Sequence, residues 1–268
     1  MKNYIKENKK GLIIVFIAII ITCSLGYVTA NINRGKSSIT LTYVNEEAST
    51  PRILSNDEKI NILLEQNQDR INFYAKTFGI DSLLLKDKLK KEYNSLKLLD
   101  ITTNIDLSII NYLLNLEDTN TELFNNTITN TNKDKDYIIG LINYFTKIYP
   151  LVDFKIAASI AEVESGFTAK TMLICNNIYG GFSRGSLIRY KNIEYGTLKY
   201  IILLNDGYFN KGLNTVSSIG YVYNPTINTS GVKVASPTWV NKVNNSLNKY
   251  NEYKSISEIK ELFALQNN

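Results

Sequence analysis

The chain changes texture several times along its length. Gly11 to Ala30 runs for 20 residues without a charge. At about 1.5 Å per residue, a helix of that length spans roughly 30 Å, the thickness of a bilayer core. Residues 31–55 are polar and rich in Ser and Thr and read as a flexible spacer. From Asp57 to Phe78, apolar residues (Ile60, Leu63, Leu64, Ile71, Tyr74, Phe78) recur at helical spacing behind a Ser55/Asn56 cap signal. Similar patterns predict helices near 81–94, 106–116 and 136–148, whereas Thr119–Lys133 is rich in Asn and Thr and reads as a loop. The predicted organisation is a membrane or signal segment at 1–30, a spacer at 31–55 and a helical arm at 56–135. A body at 136–250 and a C-terminal helix at 251–268 complete it. The fold class is mainly α.

Within the body, Asp153–Phe167 predicts a helix whose Ile156, Ile160, Val163 and Phe167 form the buried stripe, taking about 100° per residue. Glu164 lies roughly 80° from Ile156, at the edge of that stripe, beside Ala157 and Ala161, whose small side chains leave open space. Ser165-Gly166 then stops the helix. Glu162 falls on the other flank and reads as solvated. A carboxylate half inside an apolar boundary has its charged form disfavoured, so its pKa rises, which suits a general acid.

Composition narrows the chemistry. The chain has no histidine and two cysteines, Cys23 inside the apolar run and Cys175. Catalysis through a Ser-His or Cys-His pair, and a His-based zinc site, are excluded. No metal and no cofactor is expected. Residues 137–250 hold 11 basic and 5 acidic side chains, a balance open to several anionic partners. Lys2, Lys6, Lys9 and Lys10 precede the apolar run while only Arg34 and Lys36 follow closely. The positive-inside rule therefore puts everything after Ala30 outside the cell. An uncleaved single-pass anchor at 11–30 is the favoured form, with a partner protein in the membrane compatible with it. A cleaved signal ending in Val28-Thr29-Ala30 would secrete the same body.

Four segments then carry a resemblance. Glu164-Ser165-Gly166-Phe167, Asn176-Asn177-Ile178-Tyr179-Gly180-Gly181, Tyr221-Val222-Tyr223-Asn224-Pro225 and Trp239 together resemble the bacterial N-acetylglucosaminidases of glycoside hydrolase family 73, over about residues 137–250. The resemblance implies a lysozyme-like glucosaminidase domain that cuts peptidoglycan glycan strands and has no nucleic-acid partner. Glu164 would be its acid and Tyr221 a tyrosine near the cleaved bond. Asn176, Asn177, Tyr179, Gly180, Tyr223, Asn224 and Trp239 would touch substrate. Two departures stand out: Asn224 occupies the place of an Asp, and Ile227 that of a frequent second Tyr. A lytic transglycosylase of the same fold and a non-catalytic, membrane-tethered wall-binding scaffold are the alternatives.

A second catalytic group is harder to find. The other carboxylates of 137–250 are Asp153, Glu162, Glu194 and Asp206. Glu194, on a helix starting near Asn192, is the candidate accessory base. An acid near its helix N-terminus is also simply favourable. With so few candidates, nucleophilic help from the sugar's own 2-acetamido group is attractive. Tyr221 and Trp239 offer flat faces for sugar rings near the cleft, Tyr200 and Tyr208 read as core, and Arg184 and Arg189 as solvated loop residues.

Overall fold

The computed structural model describes residues 27–32, 39–44, 52–95, 104–129, 133–256 and 258–266. The protein is mainly helical, with eleven α-helices among the described residues. It divides into two compact units, one of residues 1–71 and 83–109, the other of 72–82 and 110–268.

The smaller unit opens with an antiparallel sheet of β1 (Tyr27–Ile32), β2 (Ile39–Val44) and β3 (Arg52–Ile53), in that order. Tyr27 pairs with Val44 and Ile32 with Ile39. The expected spacer thus contains strands. In Ile39-Thr-Leu-Thr-Tyr-Val, apolar and aromatic residues alternate with threonine, and β-branched and aromatic residues favour extended backbone. Tyr27–Ala30, the end of the uncharged run, lies in β1; the rest of the expected membrane helix lies outside the described residues. Among the described residues no helix is long and apolar enough to cross a membrane.

Helix α1 (Asn56–Gln66) starts with the anticipated cap: Ser55 Oγ accepts from the Glu58 amide while Glu58 Oε2 accepts from the Ser55 amide. The pattern predicts one helix to Phe78, but the chain breaks at Asn67, whose backbone leaves helical geometry (φ −109°, ψ 20°). Its side-chain amide donates to the Leu63 carbonyl, which also accepts from the Asn67 backbone N–H, so the asparagine closes the helix end on itself. A second helix, α2, follows at Gln68–Phe78. Then come α3 (Ser82–Ser95) and α4 (Ile105–Thr119). Leu85, Leu89 and Tyr93 are buried on α3, and Arg70 pairs with Asp106 at 3.2 Å within the same unit.

The larger unit is built around α5 (Lys135–Ile148), nearly all of whose residues are buried. Against it pack α6 (Phe154–Ser165), α8 (Ile193–Gly207) and α11 (Ile259–Gln266). Short α7 (Lys170–Ile174) leads to a two-stranded hairpin, β4 (Phe182–Ser183) and β5 (Ser186–Leu187). Helix α9 (Val216–Tyr223) enters a second hairpin, β6 (Pro225–Ile227) and β7 (Lys233–Ala235). That hairpin delivers the chain to α10 (Pro237–Leu247). The C-terminal segment is helical only from Ile259; before it, the Ile256 amide donates to Asn143 Oδ1 on α5.

Part of the expected arm belongs to this unit. Phe73 of α2 packs edge-on against Tyr144 of α5, with ring centroids 6.0 Å apart. The end of α2 is closed by a buried cation. Lys191 Nζ donates to the Phe78 carbonyl (2.8 Å) and to Glu117 Oε1 (2.7 Å). It also lies 4.4 Å from the Tyr195 ring centroid, with the Phe78 and Phe124 rings around it. Next to it, Asn192 donates to the Thr77 carbonyl. A buried ammonium is tolerable only with such partners: an anion, a carbonyl and π faces. Lys191→Met leaves the Glu117 carboxylate with the Tyr195 hydroxyl alone. The variant should therefore lose about 3 kcal/mol of unfolding free energy in a urea titration, and adding Glu117→Gln should recover part of the loss.

Candidate functional site

Helix α6 is set by its two ends. Asp153 caps the start, its carboxylate accepting from the Ile156 amide at 2.9 Å. Gly166 ends it in the left-handed region at φ 55°. Its buried side is Ala157, Ala158, Ser159, Ile160 and Ala161, with Ile156 and Val163 half-buried. The inward face is therefore turned from the stripe the pattern predicts. The alanines do not open a space. They admit Tyr200, which is fully buried and donates its hydroxyl to the Ala157 carbonyl at 2.8 Å.

Glu164 stands at the C-terminal end of this helix, half-buried. Trp239, near the start of α10, donates its indole N–H to Glu164 Oε1 at 2.8 Å. The other oxygen, Oε2, faces Gly180: a Cβ there would sit 3.4 Å from it and 3.0 Å from the Met172 methyl. With φ at +70°, Gly180 suits glycine on backbone grounds as well. Burial raises the Glu164 pKa; the Trp239 hydrogen bond and the Lys242 charge oppose that without cancelling it. The carboxyl thus holds a proton above the ordinary carboxylate range.

Trp239 is itself held. It is 5% exposed, and Gly220 of α9 packs so close that a Cβ would come within 2.9 Å of its ring. Tyr223 stacks on it at 5.5 Å between centroids, and the Tyr223 hydroxyl donates to the Tyr179 carbonyl. The Tyr223 phenol is pushed up first by burial and then by the Glu164 charge; the Tyr200 phenol is pushed up first by burial and then by its neighbours Tyr223 and Glu164. Neutral phenols therefore border the acid.

The Asn176–Gly181 loop plays a different part from the expected one. Asn176 and Asn177 are 0% exposed and cannot touch substrate as they stand. Asn177 Nδ2 donates to the Gly181 and Ile188 carbonyls, and its Oδ1 accepts from the Tyr179 and Gly181 amides. Asn176 takes φ 52° and donates to the Tyr190 carbonyl. Tyr179 is buried, stacked on Tyr200 at 5.0 Å and hydroxyl-bonded to Tyr190. These residues are internal struts, and the loop meets the site through Gly180.

Helix phase separates the two tyrosines of α9. Residues 221 and 223 point about 160° apart around an axis turning 100° per residue. Tyr223 faces Trp239; Tyr221 is exposed, its ring under the Lys233 ammonium at 4.7 Å. No hydrogen bond or ring contact joins Tyr221 to Glu164 or Trp239 among the described residues. Asn224 caps α9, its carbonyl accepting from the Ser236 amide at the hairpin base.

None of the other carboxylates of this segment assists. Glu194 is 2% exposed and accepts from the Tyr137 hydroxyl, with Oε2 buried and unpartnered. It faces α5 and has no open side from which to activate water. Asp206 binds Asn205 and Asn210. Glu162 is not merely solvated: Lys135 and Lys249 each reach its Oε1 at 3.2 Å, and Ser246 donates to Oε2. Among the described residues no cluster of ligating side chains suits a metal.

The two glutamates of α6 thus titrate in opposite directions. Burial alone would raise Glu162, but hydrogen bonds from Ser246, Lys249 and Lys135, with the Lys135 charge, hold it below the usual range. Its folded pKa being depressed, it stabilises the fold above the unfolded pKa and loses that effect as pH falls through the folded one. Glu162→Gln should cost about 1–2 kcal/mol near neutrality, and the gap to wild type should close in acid, read from denaturant unfolding across pH.

No family model, curated protein or solved structure matches the chain.

Proposed function

We propose that this protein is a peptidoglycan hydrolase that cuts the glycan strand at N-acetylglucosamine, with Glu164 as its general acid. What carries the reading is convergence. Segments at 164, 180, 223 and 239 are separate in the chain and meet around one half-buried carboxyl whose pKa burial raises. Those are the segments that carry the resemblance to the family 73 glucosaminidases. A lysozyme-like domain is the corresponding finer reading of the helical unit.

In this reading the glycosidic oxygen approaches Glu164 and takes its proton, so the bond to the anomeric carbon breaks as the leaving sugar becomes neutral. Among the described residues of 137–250 no second carboxylate is free for the reaction, since Asp153 caps a helix and Glu162, Glu194 and Asp206 are engaged elsewhere. The 2-acetamido oxygen of the substrate then attacks the anomeric carbon. The resulting ring is opened by water, with Glu164, now ionised, accepting the proton. The rings of Tyr223 and Trp239 wall the carboxyl off from water, and that burial raises the acid's affinity for its proton more than the Trp239 N–H lowers it.

The full chain incubated with peptidoglycan should release fragments with N-acetylglucosamine at the new reducing end. Glu164→Gln should lower the rate about 10²–10⁴-fold with wall binding nearly intact. Mass spectrometry of the products decides: anhydro-muramyl ends make the enzyme a transglycosylase, and binding without product leaves a scaffold. The same reading puts the body outside the membrane, tethered through residues 11–30. Protease added to wall-stripped cells should digest it, and protection of the body would reverse that topology.

A further inference from the structure

We infer that Trp239 is the positioning residue of Glu164: by engaging Oε1 it leaves Oε2 to carry the proton and deliver it past Gly180. The inference rests on the hydrolase reading and adds the direction of proton transfer to it.

An indole N–H is a donor only, so Oε1 must accept from it. An oxygen already accepting a strong hydrogen bond in a half-dry site is the poorer place for a proton, and the proton goes to the other oxygen. Among the described residues no side chain or backbone group hydrogen-bonds to Oε2, which faces Gly180, the first of the loop's two glycines. A substituent on Gly180 would meet both Oε2 and Met172, so the absence of a side chain keeps that approach clear. The indole cannot turn away. Tyr223 covers one face, Gly220 closes against its edge, and Ser236 caps the helix that bears it.

The charged and titratable groups around this carboxyl come from each packed helix: Lys242 on α10, Tyr223 on α9 and Tyr200 on α8. The two phenols stay neutral across the working range because burial pushes both up. The ionisation that an indole at this position senses is therefore that of Glu164.

Trp239 is the sole tryptophan of the chain, which makes the inference testable without knowing the substrate. Intrinsic fluorescence of the full chain should follow one titration centred above the ordinary carboxylate range, and Glu164→Gln should abolish it. Biosynthetic replacement of tryptophan by 3-benzothienylalanine changes only position 239, keeps the ring's shape and stacking, and puts sulfur in place of the N–H. The hydrogen bond favours the charged carboxylate, so its loss should raise the Glu164 pKa. A general acid works below its pKa, so the alkaline limb of kcat should move up by about one pH unit. Because the proton would no longer be confined to Oε2, kcat should also fall about tenfold with KM within twofold. Trp239→Phe should reproduce that pattern, with far-UV circular dichroism checking the fold. Indole fluorescence that ignores Glu164, or a benzothienyl protein with an unmoved limb and full kcat, overturns the positioning role and leaves the hydrolase reading intact. A titrating indole in a chain that forms no product overturns the hydrolase reading instead.

Discussion

Helix α10 is docked on α6 by two glutamates that lie two residues apart, and the site exists because both contacts form. At one end Trp239 gives its indole N–H to Glu164. At the other, Ser246 and Lys249 converge on Glu162, which Lys135 also reaches from the start of α5. The two carboxylates meet opposite fates. Glu162 is surrounded by cations and a hydroxyl, stays charged and ties three segments together. Glu164 has one neutral donor and a buried setting that outweighs the Lys242 charge, so its pKa is raised. A single helix thus supplies a structural anion and an acid, separated by partners and not by sequence distance.

Around that docking, the polar residues of the loop and the tyrosines of α8 and α9 act mainly as scaffolding. Asn177 spends its side-chain donors and acceptor on four backbone groups, which shapes the loop and leaves Gly180 as its point of contact with the acid. Tyr179, Tyr190, Tyr200, Tyr208 and Tyr223 pack ring against ring behind it. Hydroxyl bonds from Tyr200 and Tyr223 to backbone carbonyls fix the spacing between elements. Such buried networks hold a site rigidly because every polar atom that leaves water must find a partner. The price is that a residue used as a strut is no longer free to touch a ligand.

The Lys191 cluster extends the same logic to the end of α2. Unpaired carbonyls at a helix C-terminus need donors, and here a lysine and an asparagine from the segment entering α8 provide them. Glu117 from α4 and three aromatic rings neutralise and shield the ammonium. Residues that look in the sequence like an independent arm are thereby built into the larger unit, next to the loop that carries Gly180.

Local signals in the sequence were sufficient for the helices with caps and for Glu164. Ser55, Asp153 and Asn192 cap where their residue types predict, because a cap is a contact between residues two or three apart. Glu164 was legible as a half-buried carboxylate since its neighbours on the helix are apolar. Periodicity, however, reports only that a helix has an apolar side, and α6 is turned from the predicted stripe because Tyr200 fits against its alanines. The strands of 27–53 were masked by threonine polarity, and the break at Asn67 by an otherwise continuous pattern. Which tyrosine of α9 faces Trp239, that Glu194 is sealed against Tyr137, and that Asn176 and Asn177 point inward were all decided by packing. Most of these depend on partners 11 to 57 residues away in the chain, and a single sequence carries no local mark of contacts at that range.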